Sequence, residues 1–292
     1  MILKYSSALK KFKKEAGQAN HFLITIMVGL DGIIDHNVDI KKEFHASWNP
    51  KNKIHSVERS KEFAKKSALA WMVDCLDMYL RLINKAPSLI IDTSLKNDID
   101  SQENSRSVYK RINIISDFFE IQTINYAFVD LLICWRNRLM HYQAQNDILK
   151  SSLCILDEYK DFINTDYCGL NVDTMIESFH KSEYPKFKEV AACIRATINF
   201  VYEIDKKLID NISLLNYADM ILIEYFSQNE KIRLDKIFSK DQKRIEKSLR
   251  QVLLQNGFCD EGKNEIDEMC LALSKLTYGE AKLKYNGGTF IN

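Results

Sequence analysis

Arg136, Asn137, Arg138 and His141 fall within six residues, in the stretch LLICWRNRLMHYQAQND over 131–147. An arginine offers a planar, permanently charged fork that matches phosphate oxygens. A histidine exchanges a proton near neutral pH, and an asparagine can orient a hydroxyl or the imidazole. Together they suit transphosphorylation of RNA: the ribose 2′-OH attacks the adjacent phosphate, histidine moves a proton, and arginine stabilises the growing charge. No metal is needed for that chemistry, and no other cofactor is implied. The bland alternative is capping, because Arg and His are favoured at helix C-termini by the exposed carbonyls and the helix dipole.

The residues before the motif are apolar enough for a buried helix. At about 100° per residue, Phe128, Leu132, Trp135 and Leu139 form an anchoring face, while Asp130, Asn137 and His141 line up on another. On that ideal helix Arg136 lies about 140° from His141 and Arg138 about 60°. The wheel therefore leaves open which arginine works with the histidine, with Asp130 and Arg138 as supporting candidates.

The elements that must position this segment read as helices. With 9 Gly and 3 Pro in 292 residues, turn formers are scarce, which favours long helices over many short strands. Apolar residues recur at three- and four-residue steps over 56–86, and Pro87 stops the pattern. Residues 106–143 read as helix with a break near Glu120, and 148–164 as another amphipathic segment. Further helices are expected near 171–182, 186–211, 213–228, 241–256 and 263–277. Residues 37–53 and 98–105 read as polar connections. Residues 1–19 read as a basic helix, either a solvated face or a phosphate-contacting arm. The apolar run that follows, over 21–35, fits helix or strand and is expected to be buried; its nine-residue apolar core at 22–30 is too short for the roughly 20 residues of a membrane span.

The expectation is an all-α chain, an antiparallel helical bundle with a helical C-terminal extension. Residues 1–55 would be an N-terminal basic and apolar segment, 56–165 the bundle and 166–292 the extension, with a seam near 166–169. Net charge is +1, so a nucleic-acid site must be a local patch. One such patch is 231–250, with eight basic and three acidic residues. It fits a short helix, a turn and a longer helix, as in helix-turn-helix readers, or simply a solvated amphipathic face. Lys243, Arg244, Lys247 and Arg250 are its candidate RNA contacts.

At the motif the chain resembles the HEPN superfamily, whose hallmark is an Arg, often followed by Asn, His or Asp, with a His four to six residues beyond, late in a bundle helix. Arg136-Asn137-Arg138-Leu139-Met140-His141 matches it, and the likeness covers about residues 56–165. The resemblance implies a bundle that dimerises around two copies of the motif. It also implies a metal-independent endoribonuclease of a toxin–antitoxin, phage-defence or CRISPR system, or a scaffold that has lost activity. Arg136 would stabilise the phosphate, His141 act as acid or base and Asn137 assist. One branch carries a tyrosine two places after the histidine, modified by a partner nucleotidyltransferase; here that place is Gln143, with Tyr142 beside the histidine.

The expected partners are RNA, a second copy of the chain and an antitoxin or defence-system protein, in the cytoplasm and away from membranes. The competing class is a non-catalytic helical dimerisation or interaction protein. Asp74 and Asp77 could be paired carboxylates, or surface groups pairing with Arg81. The other histidines, at 21, 36, 45, 55 and 180, show no metal spacing or nucleophile pattern. No Gly-rich phosphate loop is present. The 7 cysteines lack CxxC spacing and read as reduced thiols, mostly in the core.

Overall fold

The computed structural model describes residues 1–36, 43, 48–141, 146–228, 230–262 and 265–286. The described chain is all-α, with one two-residue strand pair. No helix in it is long and apolar enough to cross a membrane. It divides into two compact units, each assembled from separated stretches: residues 1–11, 79–106 and 202–292 form one, and residues 12–78 and 107–201 the other. This differs from the linear partition expected above. A sequence seam such as 166–169 marks a local turn, whereas the units are set by long-range packing, and two long helices pass from one unit into the other.

Those helices are α3 (Lys53–Asn84) and α10 (Phe187–Asp210). The second unit also holds half of α1 (Ser7–Ala16), all of α2 (Ala19–Asp35), and α5 (Val108–Phe118), α6 (Ile124–Met140), α7 (Lys150–Glu158), α8 (Lys160–Asp166) and α9 (Val172–His180). The break expected near Glu120 is present: Glu120 has φ 53° between α5 and α6, and Thr123 caps α6 by accepting from the Tyr126 amide. Helix α6 is the buried axis of the unit. All ten residues over 126–135 are buried, which is why this stretch shows no polar stripe.

Helix α2 corrects an expectation. The run is helical, but of its 17 residues only Ala19 and Leu23 are buried. Length and apolarity alone suggested burial; in the folded unit the helix rests on α3 by one narrow side. The first residues of the chain differ too, since Ile2–Leu3 form a strand, β1, before α1 begins. The connection expected at 98–105 starts later, because α4 runs Thr93–Asp100 from an Asp92 cap. Of the connection expected over 37–53, most lies outside the described residues.

In the first unit β1 pairs antiparallel with β2 (Phe258–Cys259), Ile2 opposite Cys259 and Leu3 opposite Phe258. Gly257 enters β2 at φ 101°, where a Cβ would collide with the Tyr5 carbonyl. Helices α11 (Leu214–Ser227), α12 (Glu230–Phe238), α13 (Gln242–Gln255), α14 (Glu265–Leu273) and α15 (Tyr278–Asn286) pack around Phe226, whose ring lies 4.5 Å from that of Tyr285. Asp205 is buried beneath β1 and α1, accepting from the Ser6 amide at 2.9 Å and the Tyr79 hydroxyl at 3.1 Å. Burial raises its carboxyl pKa above the ordinary range, opposed by those hydrogen bonds.

Candidate functional site

The end of α6 is where the buried axis meets solvent. Trp135 is the last fully buried residue, with its indole N–H donated to the Glu183 carbonyl at 3.0 Å and its ring edge-on to Phe179. Arg136, Asn137 and Arg138 are half-buried, and Met140 and His141 exposed. A helix that is buried for ten residues thus places polar side chains on its final turn, at the surface.

The two arginines go different ways. Arg138 donates from Nε to the Asn146 carbonyl at 2.8 Å and from Nη1 to the Phe179 carbonyl at 3.1 Å. Its guanidinium also pairs with Asp147 and lies 4.0 Å above the Phe179 ring. It is a clamp joining α6, the segment entering α7, and the end of α9. Arg136 donates from Nη1 to Asn137 Oδ1 at 2.8 Å, and the same nitrogen lies 3.2 Å from His141 Nε2. Arginine has no acceptor, so Nε2 must accept, which places the imidazole proton on Nδ1.

Arg136 reaches a histidine that an ideal wheel puts far round the helix because His141 is no longer helical. It is the C-cap, at φ −111° and ψ 125°, with its N–H still donated to the Asn137 carbonyl at 2.9 Å. Among the described residues, the buried Nε of Arg136 makes no hydrogen bond. A buried donor left so costs about 1–3 kcal/mol.

Asp130 does not join this group. It is 2% exposed, and its Oδ2 accepts the Leu149 amide at 2.8 Å. Cys134 Sγ lies 3.6 Å from its Oδ1 and 3.4 Å from the Asp147 carbonyl. Asp130, Cys134 and Arg138, four residues apart on one stripe of α6, thus fasten the segment 146–149 beside the motif. Burial raises the Asp130 pKa, and the Leu149 amide works against that rise. Burial likewise pushes up the Cys134 thiol, and takes the Tyr109 hydroxyl to about 12. The sequence signal for this staple is the four-residue spacing of Asp130, Cys134 and Arg138. Residues 142–145, with Tyr142 and Gln143, lie outside the described residues.

The basic segment 231–250 folds as a short helix, a three-residue turn and a longer helix, α12 and α13. Lys243, Arg244 and Lys247 are exposed, Arg244 beside its cap Asp241 at 3.2 Å. Arg250 is not available in the same way, because its guanidinium pairs with Asp260 and Asp267. Asp77 pairs with Arg111 while Asp74 is exposed, so the two carboxylates do not act as a couple. Cys75, Cys134, Cys193 and Cys270 are buried; Cys154 and Cys168 are exposed. Among the described residues no group of three His, Cys, Asp or Glu side chains is placed to hold a metal ion.

No family model, curated protein or solved structure matches this chain.

Proposed function

We propose that the chain is a metal-independent endoribonuclease acting through Arg136 and His141, with Asn137 steadying the arginine. The observation that carries the reading is the 3.2 Å approach of Arg136 Nη1 to His141 Nε2 on an exposed helix end. A phosphate oxygen entering there takes the guanidinium N–H, releasing the Nε2 lone pair to accept the proton of the 2′-OH. The bond from O2′ to phosphorus forms as the bond to O5′ breaks, and the charge on the phosphoryl oxygens falls to Arg136. The leaving 5′-oxygen takes a proton from a second histidine, which a two-fold copy of the motif would supply. The products are a 2′,3′-cyclic phosphate and a 5′-hydroxyl.

This reading carries the remaining expectations with it: a homodimer with Arg136, Asn137 and His141 of both copies around one phosphate, a cytoplasmic toxin or phage-defence role, and an antitoxin or defence-system partner. The exposed Lys243, Arg244 and Lys247 on α13 would add sequence-independent grip on RNA phosphates. The test is incubation of the purified chain with total tRNA and mRNA in EDTA, followed by mapping of the ends. Cyclic-phosphate and 5′-hydroxyl ends that vanish in His141→Ala support the reading; 5′-phosphate ends, or cleavage undiminished in His141→Ala, overturn it.

A second reading, a non-catalytic helical interaction protein, draws on a different observation. The outward side of α2 is apolar and exposed, as a docking protein requires and a nuclease does not.

A further inference from the structure

A pocket of about 550 Å³ lies over the first turns of α3, lined by residues between Pro50 and Phe63 and sharing none with the end of α6. Asn52 opens the helix there, accepting the His55 amide at 3.0 Å. His55, Arg59 and Phe63 follow at four-residue steps, so they share one side of α3. Lys51, just before the helix, lines the same pocket. Ser56 and Ser60 are half-buried, and their short side chains leave depth between the longer ones.

Two properties of the pocket define its ligand. The first is charge. Lys51, His55 and Arg59 line it, and its described lining residues include no carboxylate. Nearby on α3, Lys61 is already held by Asp31 at 2.7 Å and Glu58 at 2.9 Å. Among the described residues, Lys51 and Arg59 have no such partner. Cations gathered without a counter-charge repel one another, and an entering anion relieves that repulsion. Arg59 offers the planar fork that fits a phosphate, and Lys51 a point charge.

The second is the aromatic wall. Phe63, one turn beyond Arg59, is 71% exposed. A bare inorganic anion has no use for that ring. A base stacks on such a ring while its phosphate meets cations, which is how single-stranded nucleic acids are held. The volume is that of a site for one small group. Lys51, His55, Arg59 and Phe63 are all exposed, so the site is open enough for a strand to run through it. We infer that the pocket is a subsite for one nucleotide of a single-stranded nucleic acid. The phosphate lies against Lys51 and Arg59, His55 donates a further hydrogen bond, and the base rests on Phe63. Binding there requires no chemistry at Arg136 or His141, so the inference is independent of the ribonuclease reading.

The experiment is fluorescence anisotropy of labelled oligoadenylate and oligodeoxyadenylate over a salt series. The titrated chain carries His141→Ala, so that the strand stays whole, with Lys243→Ala and Lys247→Ala, so that α13 does not contribute. In that chain Arg59→Ala and Lys51→Ala should each lower the salt slope by about 0.7. Phe63→Ala should weaken binding at fixed salt about 5-fold or more. Lys282→Ala, exposed on α15, removes the same charge elsewhere and should change neither. Thermal melts should coincide, because every substituted side chain on α3 is exposed. Binding of the ribose strand alone assigns an RNA, and equal binding of both assigns a strand held by backbone and base; either supports the inference. An absence of binding overturns it, as does binding indifferent to Arg59 and Phe63. So does a slope lowered as much by Lys282→Ala as by Arg59→Ala, or polyglutamate competing as well as unlabelled oligoadenylate, since each leaves only net charge. A failed nuclease assay is a separate result, because the titrated chain has no His141.

Discussion

Arg136 and Arg138 leave the same helical turn and serve opposite ends: one lies 3.2 Å from His141 Nε2, the other donates to the Phe179 carbonyl at 3.1 Å and covers that ring. A guanidinium with its donors spent on backbone carbonyls and a carboxylate is committed to the fold. One resting on a single imidazole and a neighbouring amide can be recruited by a phosphate.

That division predicts opposite phenotypes. Arg136→Ala should leave thermal stability nearly unchanged and lower cleavage about 10²–10³-fold, and His141→Ala about 10²–10⁴-fold. Arg138→Ala should cost about 3 kcal/mol of stability through its lost carbonyl bonds and ring contact. Denaturant melts and single-turnover cleavage on the three variants separate the roles. A stable but inactive Arg138→Ala would mean that the catalytic arginine has been misassigned.

The buried Asp130 predicts a pH dependence of stability. Unfolded, this carboxyl loses its proton near the ordinary value of about 3.9; folded, burial lets it hold the proton to higher pH. Between those values the folded chain binds more protons, so its contribution to stability falls as pH rises and then levels off. Asp130→Asn retains an acceptor for the Leu149 amide but does not titrate. Its stability relative to wild type should therefore climb from about pH 4 upward and reach a plateau. Urea midpoints at a series of pH values measure the difference, and a flat profile would remove Asp130 as its source.

A composite site predicts unequal sharing of activity in mixed dimers. Wild-type and His141→Ala chains co-expressed with two tags give heterodimers with well under half the wild-type rate if both motifs serve one phosphate. Half the rate would mean that each chain works alone.

On α13 the expected effects also split. Replacing Lys243 and Lys247 with alanine should flatten the salt dependence of single-stranded RNA affinity, lowering the slope by about 1.4. Arg250→Ala removes a cation lying between Asp260 and Asp267. It should chiefly destabilise the fold, by about 2 kcal/mol. Fluorescence titrations at several salt concentrations, run beside melts, tell the two apart.

The sequence exposed the helices and the break near Glu120 because periodicity and turn chemistry act locally; the Thr123 cap that restarts the chain as α6 was not read. It also marked the motif, since charges on a final turn after ten buried residues are visible in one dimension. Which arginine lies beside His141 was hidden because the wheel carried the helix through His141, whose φ of −111° swings its side chain off the helical path. The exposure of α2 was hidden because an apolar run reads alike whether a neighbour covers it or leaves it bare. The two units were hidden for a related reason: residues 12–78 and 107–201 cohere through contacts between distant stretches, which no linker announces.

Trp135 gives the fold its own optical gauge. Of the 3 tryptophans, Trp48 and Trp71 are exposed, whereas Trp135 is fully buried, edge-on to the ring that Arg138 covers. Iodide should therefore quench two indoles and spare the third, whose emission is blue-shifted by its dry surroundings. Release of the Arg138 clamp would uncover that third indole while the backbone helices remain intact. The colour of one fluorophore would then register the loosening of the turn that carries Arg136 before any loss of helix is seen.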